Sequence, residues 1–390
     1  MRRSMLRVLV PLAAATLIAA GCSSSDDDDS ASEPTLGGDG APATAAPTPT
    51  GGAPATDGST GPTTAGEVQT GDSLLDSVKA NGTVRCGTRD ALPGFATLDE
   101  SGEHVGFDAD FCRVIAAAVL GDATAVDFVD LETAARFTAL QSNEIDVLVR
   151  NTTWTASRDG IEGATFLHPT YYDGQQLMVA TDAGFAGPED LDGVAVCVAA
   201  GTTSEGNLAT YLTGLGVTPS EILSLESIED IQAAFTEGRC EAWSSDGSQL
   251  AGVRSTWPDG PEALTVFPDV FSKEPLAPAV ADGDTTWAQA VDWAVYATIQ
   301  AEEFGITSEN VDAMLAGDDP QIVQFLGGEN ADGVSLDTGL GLPADFAYQV
   351  VSQVGNYAEI FEANLTQLGL ERGINALWTD GGLQYAPPYR

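Results

Sequence analysis

The stretch from Ile145 to Arg158 joins an apolar run to side chains that could hold a charged ligand. The run ends at Val149, and guanidinium, amide and hydroxyl side chains follow it directly. A carboxylate is well matched by a planar guanidinium, which can donate two parallel hydrogen bonds. We therefore expect Arg158 to bind a carboxylate, with the Thr153 hydroxyl and nearby backbone N–H groups beside it. The alternative is an arginine that forms a salt bridge within its own domain.

Asp246 follows a predicted strand, 240–244, much as Arg158 follows the strand predicted at 145–149. A small ligand that carries both a carboxylate and an ammonium needs a fixed cation and a fixed anion in its site, both hydrogen-bonded. We expect Arg158 and Asp246 to fill these two roles. The alternative for Asp246 is the N-cap of a helix that contains Ser248.

The sequence Gly201-Thr202-Thr203 lies between a predicted strand and a predicted helix. Backbone N–H groups at such a junction point toward an anion beyond the strand. The same three residues also cap ordinary helices, so the motif by itself is weak.

These candidate residues belong to a chain whose apolar periodicity alternates between strand and helix from Ser73 onward. Ser73 is expected to cap a short helix that ends at Gly82. Strands are predicted at 83–87, 126–131, 145–149, 193–199, 221–225 and 240–244, and helices at 106–121, 134–144, 204–215 and 228–237. This order is typical of parallel sheets with right-handed crossovers.

Two extended segments, 171–180 and 276–281, join the two similar half-chains. They predict two lobes with a double crossover between them, and a cleft between lobes is the natural ligand site. Lobe 1 is expected to comprise 73–175 and 281–390, and lobe 2 to comprise 176–280.

Helical patterns continue after the second crossover. An amphipathic helix at 287–304 is expected to return to lobe 1, and further helical patterns cover 308–315 and 345–368. Periodicity alone would also allow these last segments to form a small third subdomain.

The N-terminus has the pattern of a secretion signal. Three arginines in the first seven residues precede an apolar segment, 8–20, that is too short to span a bilayer stably, and Gly21 and Cys22 follow it. We expect 1–22 to be absent from the mature fold. Residues 23–72 are rich in Asp, Pro, Thr, Ala and Gly, which predicts a disordered linker.

The composition excludes several functions. A formal net charge of −43 predicts repulsion from nucleic acid and from anionic membrane surfaces. The chain has two histidines and lacks a Gly-x-Ser-x-Gly elbow, a zinc-spaced Cys/His cluster, a P-loop and a Gly-x-Gly-x-x-Gly motif. We therefore expect no metal, no cofactor and no enzyme activity.

Apart from Cys22, the chain has four cysteines, an even number that predicts two disulfides in an oxidising compartment. Three connectivities are possible. We favour Cys86 with Cys112 and Cys197 with Cys240, because each pair falls within one βαβ-type region. Each bridge would stabilise the fold by about 3 to 4 kcal/mol. The alternative is buried free thiols.

The sequence from 146 to 159, Asp-Val-Leu-Val-Arg-Asn-Thr-Thr-Trp-Thr-Ala-Ser-Arg-Asp, resembles the signature of the polar amino-acid substrate-binding proteins of ABC transporters, family 3, in particular the general L-amino-acid-binding branch. The segments 86–95, 201–203 and 375–388 also resemble this branch. The resemblance runs from about Leu74 to Arg390. It implies an α/β, two-lobe periplasmic-binding-protein-like fold of type II, with a C-terminal helical extension on lobe 1.

The resemblance also implies a set of ligand-binding residues. Asp246 matches the family's ammonium-binding aspartate, and Thr203 would add a hydroxyl to the α-carboxylate. Phe95 and Trp154 could stack on the ligand side chain or line the core. The residues expected at the ligand are Arg158, Asp246, Thr153, Asn151, Thr203, Thr202, Arg89, Arg150, Phe95 and Trp154.

Ligand specificity is where the chain departs from better-known members. Arg89 stands where lysine/arginine/ornithine and histidine binders have an acidic residue, and Leu92 stands where they have an aromatic one. If Arg89 and Arg150 face the cleft, they would favour glutamate, aspartate, glutamine or asparagine.

Residues 19–22, Ala-Ala-Gly-Cys, resemble a bacterial lipobox with Ala19 in place of the usual leucine. This resemblance implies that Cys22 carries a lipid anchor, with ordinary cleavage and free secretion as the alternative. The resulting hypothesis is a monomeric, lipid-anchored, extracytoplasmic protein that closes on a free L-amino acid and delivers it to an ABC permease.

Two other functions remain compatible with the sequence. Secreted cyclohexadienyl or arogenate dehydratases share the implied fold, and Glu205 or Asp246 could serve as their general acid. A ligand-sensing domain presented to a membrane receptor is the third possibility.

Overall fold

The structure is a computed structural model that describes residues 73–390. The predicted signal peptide, the predicted linker and Cys22 lie outside these residues.

The first described helix, α1 (Leu74–Asn81), forms as the sequence predicts. The Ser73 side chain accepts a hydrogen bond from the Asp76 amide at the helix start. Gly82 ends the helix with a φ of 70°, a left-handed conformation that glycine adopts without a Cβ penalty.

The elements of the first lobe follow directly. They are β1 (Val84–Thr88), β2 (Ala91–Leu92), β3 (Ala96–Leu98), β4 (His104–Val105), α2 (Phe107–Leu120), β5 (Val126–Asp130), α3 (Arg136–Gln141), β6 (Val147–Leu148), α4 (Ala156–Ile161) and β7 (Ala164–Phe166). The second set covers the crossovers and the second lobe. It comprises β8 (Tyr171–Asp173), β9 (Gln175–Ala180), β10 (Ala195–Ala199), α5 (Thr203–Leu215), β11 (Glu221–Leu225), α6 (Ile228–Thr236), β12 (Ala242–Asp246), α7 (Gly247–Ser255), β13 (Leu264–Val266), β14 (Glu274–Leu276) and β15 (Ala279–Ala281).

The C-terminal extension contains the remaining α-helices. They are α8 (Thr285–Glu303), α9 (Val311–Leu315), α10 (Pro320–Phe325), α11 (Phe346–Gln353) and α12 (Tyr357–Asn364). Short 3-10 helices lie at Thr181–Ala183, Pro188–Leu191, Pro261–Ala263, Thr366–Leu368, Gly373–Asn375 and Trp378–Asp380. Among residues 73–390, no helix combines the length and apolar character needed to cross a bilayer.

Each lobe is built on a five-stranded sheet. The first has the order β5-β1-β6-β15-β7, and the second has the order β11-β10-β12-β9-β13. The first three strands of each sheet are parallel, as predicted, whereas β15 and β9 pair antiparallel to their neighbours. The sequence analysis missed this antiparallel pairing because it treated the crossover segments only as connections.

The crossovers form a small sheet of their own, in which β8 pairs antiparallel with β14. The two-lobe α/β fold with a double crossover is therefore confirmed. The boundaries predicted for the lobes at 175/176 and 280/281 stay a prediction.

The helical pattern predicted at 345–368 is broken into α11 and α12. Gly355, with a φ of 109°, lies between them. Asn356 and Glu359 then form a reciprocal capping box that starts α12. The sequence analysis gave a single range for this pattern because the residues at the break were not identified as the end of one helix and the start of the next.

The structure pairs Cys86 with Cys112 and Cys197 with Cys240, with Cα–Cα distances of 6.0 and 5.7 Å. The first bridge joins β1 to α2, and the second joins β10 to the residues just before β12. Each bridge therefore fixes a strand that ends at the cleft described below.

The C-terminal extension packs on lobe 1 through α8, α11 and α12, which contact α2. An aromatic cluster fills this interface. Phe107 of α2 lies with its ring centroid 5.0 Å from that of Phe111 and 6.0 Å from that of Tyr357. The extension therefore shares the hydrophobic core of lobe 1.

Candidate functional site

A cleft between the lobes collects polar residues from the ends of several strands. Its lining includes residues from lobe 1 and lobe 2, namely Arg89, Glu132, Thr133, Arg136, Arg150, Asn151, Thr153, Arg158, Thr202, Thr203, Ser204, Glu226, Glu229, Ser245, Asp246 and Gln249. Eight of the ten residues expected at the ligand line it; the exceptions are Phe95 and Trp154. Ligands of open α/β sheets bind beyond the carboxyl ends of strands, which is where this cleft lies.

Arg158 lies on α4, which Thr155 caps by accepting a hydrogen bond from the Arg158 amide. Its guanidinium donates to the Thr153 carbonyl at 2.8 Å and stands 5.8 Å from the Phe137 ring centroid. Within residues 73–390 it forms no salt bridge, contrary to the alternative reading of an arginine paired inside its domain. Burial lowers the pKa of Arg158, and the charges of Glu274 and Asp246 oppose this shift.

Asp246 lies at the end of β12, at the N-cap position of α7, but its side chain makes no capping hydrogen bond. The residue is 6% exposed, and its Oδ1 atom has no hydrogen-bond partner among the described residues. Burial raises the pKa of Asp246 well above its usual value, and the charges of Asp173 and Glu274 raise it further. A buried carboxylate without a partner is costly, so a donor supplied by a ligand would stabilise it.

Glu274 supports the lobe 2 side of the cleft. The hydroxyl of Thr203 donates to one of its carboxylate oxygens at 2.7 Å, and the amide of Asn207 donates to the other at 2.9 Å. Thr202 is the N-cap of α5 and accepts from the Glu205 amide, so its hydroxyl has the structural role that the weak motif allowed. Glu205, one of the two possible general acids, does not line the cleft.

Four arginines line the cleft, and their hydrogen bonds separate them into two kinds. Arg150 is fixed by bonds to protein oxygens, since its Nε donates to the Leu131 carbonyl at 2.8 Å and its Nη2 to the Thr133 hydroxyl at 3.2 Å. Burial lowers the pKa of Arg150 to about 9. In contrast, the Nε atoms of Arg89 and Arg136 are buried without a hydrogen-bond partner in the described part of the chain.

Arg136 was missed by the sequence analysis. It is the first residue of α3, directly after the loop that follows β5, and it is 4% exposed. Burial lowers the pKa of Arg136 far below its ordinary value, and the charges of Arg158, Arg150 and Arg89 lower it further. The signal was available, because a parallel strand was predicted at 126–131 and the first turn of the helix after it must face the same edge of the sheet.

Phe95 and Trp154 were expected to stack on the ligand or to line the core, and the structure places neither side chain in the lining of the cleft. Phe95 is fully buried, and its ring packs against Phe107 and Tyr171 with centroid distances of 5.9 and 5.6 Å. Trp154 is 39% exposed and stacks on Phe166 outside the cleft. Both rings find apolar partners in the protein, and neither lines the cleft.

The lobes touch each other across the cleft. The Asn151 amide of lobe 1 donates to the Gln249 side chain of lobe 2 at 3.5 Å, and Arg136 donates to the Gly201 carbonyl at the same distance. The hydroxyls of Thr153 and Thr203 are 3.4 Å apart. These contacts are those of a closed arrangement, in which groups from both lobes can reach one small ligand.

Comparison with known proteins gives consistent results. Residues 84–309 match the model of the bacterial extracellular solute-binding proteins, family 3. The chain is 47% identical over 319 residues to the general L-amino acid-binding periplasmic protein AapJ of Rhizobium johnstonii, with 81% of this chain and 92% of that protein covered. It is 44% identical over 322 residues to the glutamate/glutamine/aspartate/asparagine-binding protein BztA of Rhodobacter capsulatus, with 82% and 94% covered.

Solved structures agree with these relatives. A periplasmic binding protein of an ABC transporter from Brucella ovis, with glutathione bound, is 43% identical and superposes with a TM-score of 0.79. The alignment covers 82% of this chain and all of that one. The cysteine-binding protein from Campylobacter jejuni is 28% identical with a TM-score of 0.52, over 64% of this chain and 97% of its own.

Proposed function

Because the chain belongs to the bacterial extracellular solute-binding proteins of family 3, we propose that it is the binding subunit of an amino-acid ABC transporter. Membership of this family implies a location outside the cytoplasm. The single observation that carries the proposal is the buried Oδ1 atom of Asp246, which has no hydrogen-bond partner within residues 73–390 and shares one cleft with the guanidinium of Arg158. We expect the protein to act as a monomer and to deliver its ligand to an ABC permease.

The two ends of a zwitterion account for this pair of charges. The α-carboxylate would bind the Arg158 guanidinium, with the hydroxyl of Thr153 as a further donor. The hydrogen of the Thr203 hydroxyl is already donated to Glu274, so Thr203 would contribute through its backbone at the start of α5. The α-ammonium would donate to the free oxygen of Asp246, which removes the cost of leaving that atom without a hydrogen bond. Both interactions take place in a buried cleft, where charge-assisted hydrogen bonds are strong.

Ligand preference depends on the groups that remain free once the amino-acid head is bound. Arg89 and Arg136 both line the cleft, and each has an Nε atom without a hydrogen-bond partner among the residues that the structure describes. A side-chain carboxylate or amide would supply the missing acceptor. We therefore propose glutamate, aspartate, glutamine and asparagine as the preferred ligands, the same four that the name of the BztA relative gives.

Binding would couple to closure of the lobes. The hinge would lie in the two crossovers between the lobes, near the paired strands β8 and β14. A ligand held by Arg158 on one lobe and Asp246 on the other binds the closed form better than the open form, so it shifts the population toward closure. The closed form is then the one that the permease would recognise.

A thermal-shift screen over the twenty L-amino acids tests the ligand class. We expect the four preferred ligands to raise Tm, and the rise to grow with concentration, because a ligand that binds only the folded state adds RT ln(1 + [L]/Kd) of stability. Reduced glutathione belongs in the same panel, since the Brucella ovis protein has it bound.

The matched control is the D-enantiomer of each active compound. With its ammonium on Asp246 and its carboxylate on Arg158, a D-amino acid directs its side chain away from the position that the L-form uses, and it should give no shift. Equal shifts from L-arginine or L-leucine would reject the acidic and amide preference. Release of phenylalanine from arogenate, or of phenylpyruvate from prephenate, in each case with loss of water and carbon dioxide, would instead favour the dehydratase alternative, in which Asp246 is a general acid.

We also propose that Cys22 anchors the mature protein to the membrane through a lipid, with 23–72 as the tether. The proposal rests on the lipobox-like residues 19–22, in which Cys22 follows three small residues. The intact mass of protein extracted from membranes should equal a chain that begins at Cys22 plus a diacylglyceryl group. A mass without that addition, or protein recovered only from the medium, would contradict the anchor.

A further inference from the structure

Asn375 lies in the C-terminal extension, beyond residue 309 where the family match ends. It is 2% exposed, and its side-chain amide forms two hydrogen bonds with one residue of hinge strand β8. Its Oδ1 accepts from the Tyr172 N–H at 2.6 Å, and its Nδ2 donates to the Tyr172 carbonyl at 3.0 Å. Asn375 thus satisfies both backbone groups of Tyr172, as a neighbouring strand would.

The segment around Asn375 is tied to lobe 1. Arg372 donates to the Asn375 carbonyl at 3.2 Å and pairs with Glu302 of α8 at 3.0 Å. The Gln384 amide donates to the Thr170 carbonyl, which also accepts from the Tyr357 hydroxyl at 2.7 Å. The extension therefore holds the residues that lead into β8 at several points.

Asp173, the residue after Tyr172, links β8 to lobe 2. Asp173 accepts a hydrogen bond from the Ser248 amide at 3.2 Å, in the first turn of α7. The Gly247 amide donates to the Gly174 carbonyl at 2.8 Å. A Cβ atom at Gly247 would lie 2.1 Å from the Gln176 side-chain oxygen. The start of α7 therefore packs closely against residues 174–176, which follow β8.

Asp246 is the residue immediately before Gly247, and its backbone pairs with Gln175 of β9. The position of Asp246 thus depends on the segment 172–175, and Asn375 binds the first residue of this segment, Tyr172. We propose that Asn375 is a positioning residue, which fixes β8 and, through Asp173, the start of α7 and the carboxylate of Asp246. The last step, from Asp246 to ligand affinity, rests on the proposed function.

The test compares two buried asparagines of the extension in the full chain. Asn356 is 3% exposed, accepts from the Glu359 amide and donates to the Ile306 carbonyl at 2.7 Å, and within residues 73–390 its side chain forms no hydrogen bond with β8 or β14. Asn375→Ala and Asn356→Ala each remove two hydrogen bonds between the asparagine side chain and the backbone. We expect Asn375→Ala to raise the Kd for L-glutamate about tenfold, mainly through faster dissociation, and Asn356→Ala to change it less than twofold.

Hydrogen exchange in the ligand-free protein provides a measurement that does not depend on the ligand. The amides of Gly247 and Ser248 should exchange several times faster in Asn375→Ala and unchanged in Asn356→Ala. Equal changes in Kd for the two variants, or unchanged exchange at these amides, would overturn the proposal. If the unmodified protein does not bind L-glutamate, the proposed ligand fails, while the exchange comparison still decides the connection through the hinge.

A second variant covers the case in which Asn375→Ala does not fold. Asn375→Asp keeps the acceptor for the Tyr172 N–H, but its ionised carboxylate would face the Tyr172 carbonyl without a donor. Protonation restores the donor, so the Kd of this variant relative to the unmodified protein at the same pH should recover as pH falls through the pKa of the introduced carboxyl. A ratio that does not change with pH would contradict the role assigned to the two hydrogen bonds.

Discussion

Arg158→Ala is expected to raise the Kd for L-glutamate by about a thousandfold, because it would leave the ligand α-carboxylate buried without its cation. Removing one partner of a buried charge pair costs about 3 to 5 kcal/mol, and each 1.4 kcal/mol is a factor of ten in affinity. The Arg158 guanidinium already donates to the Thr153 carbonyl, so its orientation is set before the ligand arrives. Isothermal titration calorimetry measures the change directly.

Two further variants make this result interpretable. Arg158→Lys keeps the charge but loses the planar, two-pronged donor, and should fall between the unmodified protein and Arg158→Ala. Arg239→Ala removes an exposed arginine that does not line the cleft, and should leave Kd unchanged. A change of less than threefold in Arg158→Ala would remove this residue from the site.

Asp246→Asn is expected to raise Kd by at least about a hundredfold while increasing the stability of the ligand-free protein. The amide cannot neutralise the ligand ammonium, and charged hydrogen bonds are worth about 1.5 to 3 kcal/mol each. In the ligand-free protein, however, the carboxylate has a buried oxygen without a partner and lies near Asp173 and Glu274. Removing the charge relieves that cost, so Tm and affinity should move in opposite directions.

The exposed Asp182, whose side chain does not line the cleft, provides the control. Asp182→Asn should leave both Kd and Tm nearly unchanged. If Asp246→Asn lowers Tm together with affinity, the carboxylate supports the fold and the unpartnered oxygen has another explanation. If affinity is unchanged, the ammonium lies elsewhere.

The raised pKa of Asp246 also fixes the sign of a pH dependence. The contribution of this carboxyl to stability is fully present below the usual value of 3.8 and is lost as pH rises through the raised pKa. The pH dependence of ligand affinity has the opposite sign, because only the ionised form of Asp246 pairs with an ammonium. Affinity should therefore fall as pH is lowered through the raised pKa, and this step should be absent in Asp246→Asn.

The order of the elements could be read from the sequence because apolar periodicity is local. Alternation over a few residues identified β10, β11 and β12, and the capping residues Ser73 and Gly82 identified α1. The two lobes followed from the repeated order of strands and helices. Residues placed just after predicted strands, among them Arg158, Thr203 and Asp246, line the cleft because the carboxyl ends of parallel strands meet at one edge.

Tertiary packing decided which of these side chains has an unpartnered polar atom. Arg150 was expected to contact the ligand with Arg89, but protein oxygens hold its Nε and Nη2 atoms. In the part of the chain that the structure describes, the Nε atoms without a partner are those of Arg89 and of Arg136, which the sequence analysis missed. Phe95 belongs to an expected binding motif, yet it finds its partners in the core. Whether a polar atom finds a hydrogen-bond partner depends on atoms that are distant in sequence. The apolar periodicity of the sequence cannot predict this.

The sequence by itself determined the fold class, the favoured disulfide pairing and the edge of the sheets where the charged residues meet, since these follow from neighbouring residue types and from topology. Only the tertiary structure placed Asn375 beside Tyr172, 203 positions away in the chain. It also left one oxygen of Asp246 without a donor. Both facts depend on distances of a few ångströms between remote segments, and such distances arise only when the lobes and the extension pack together.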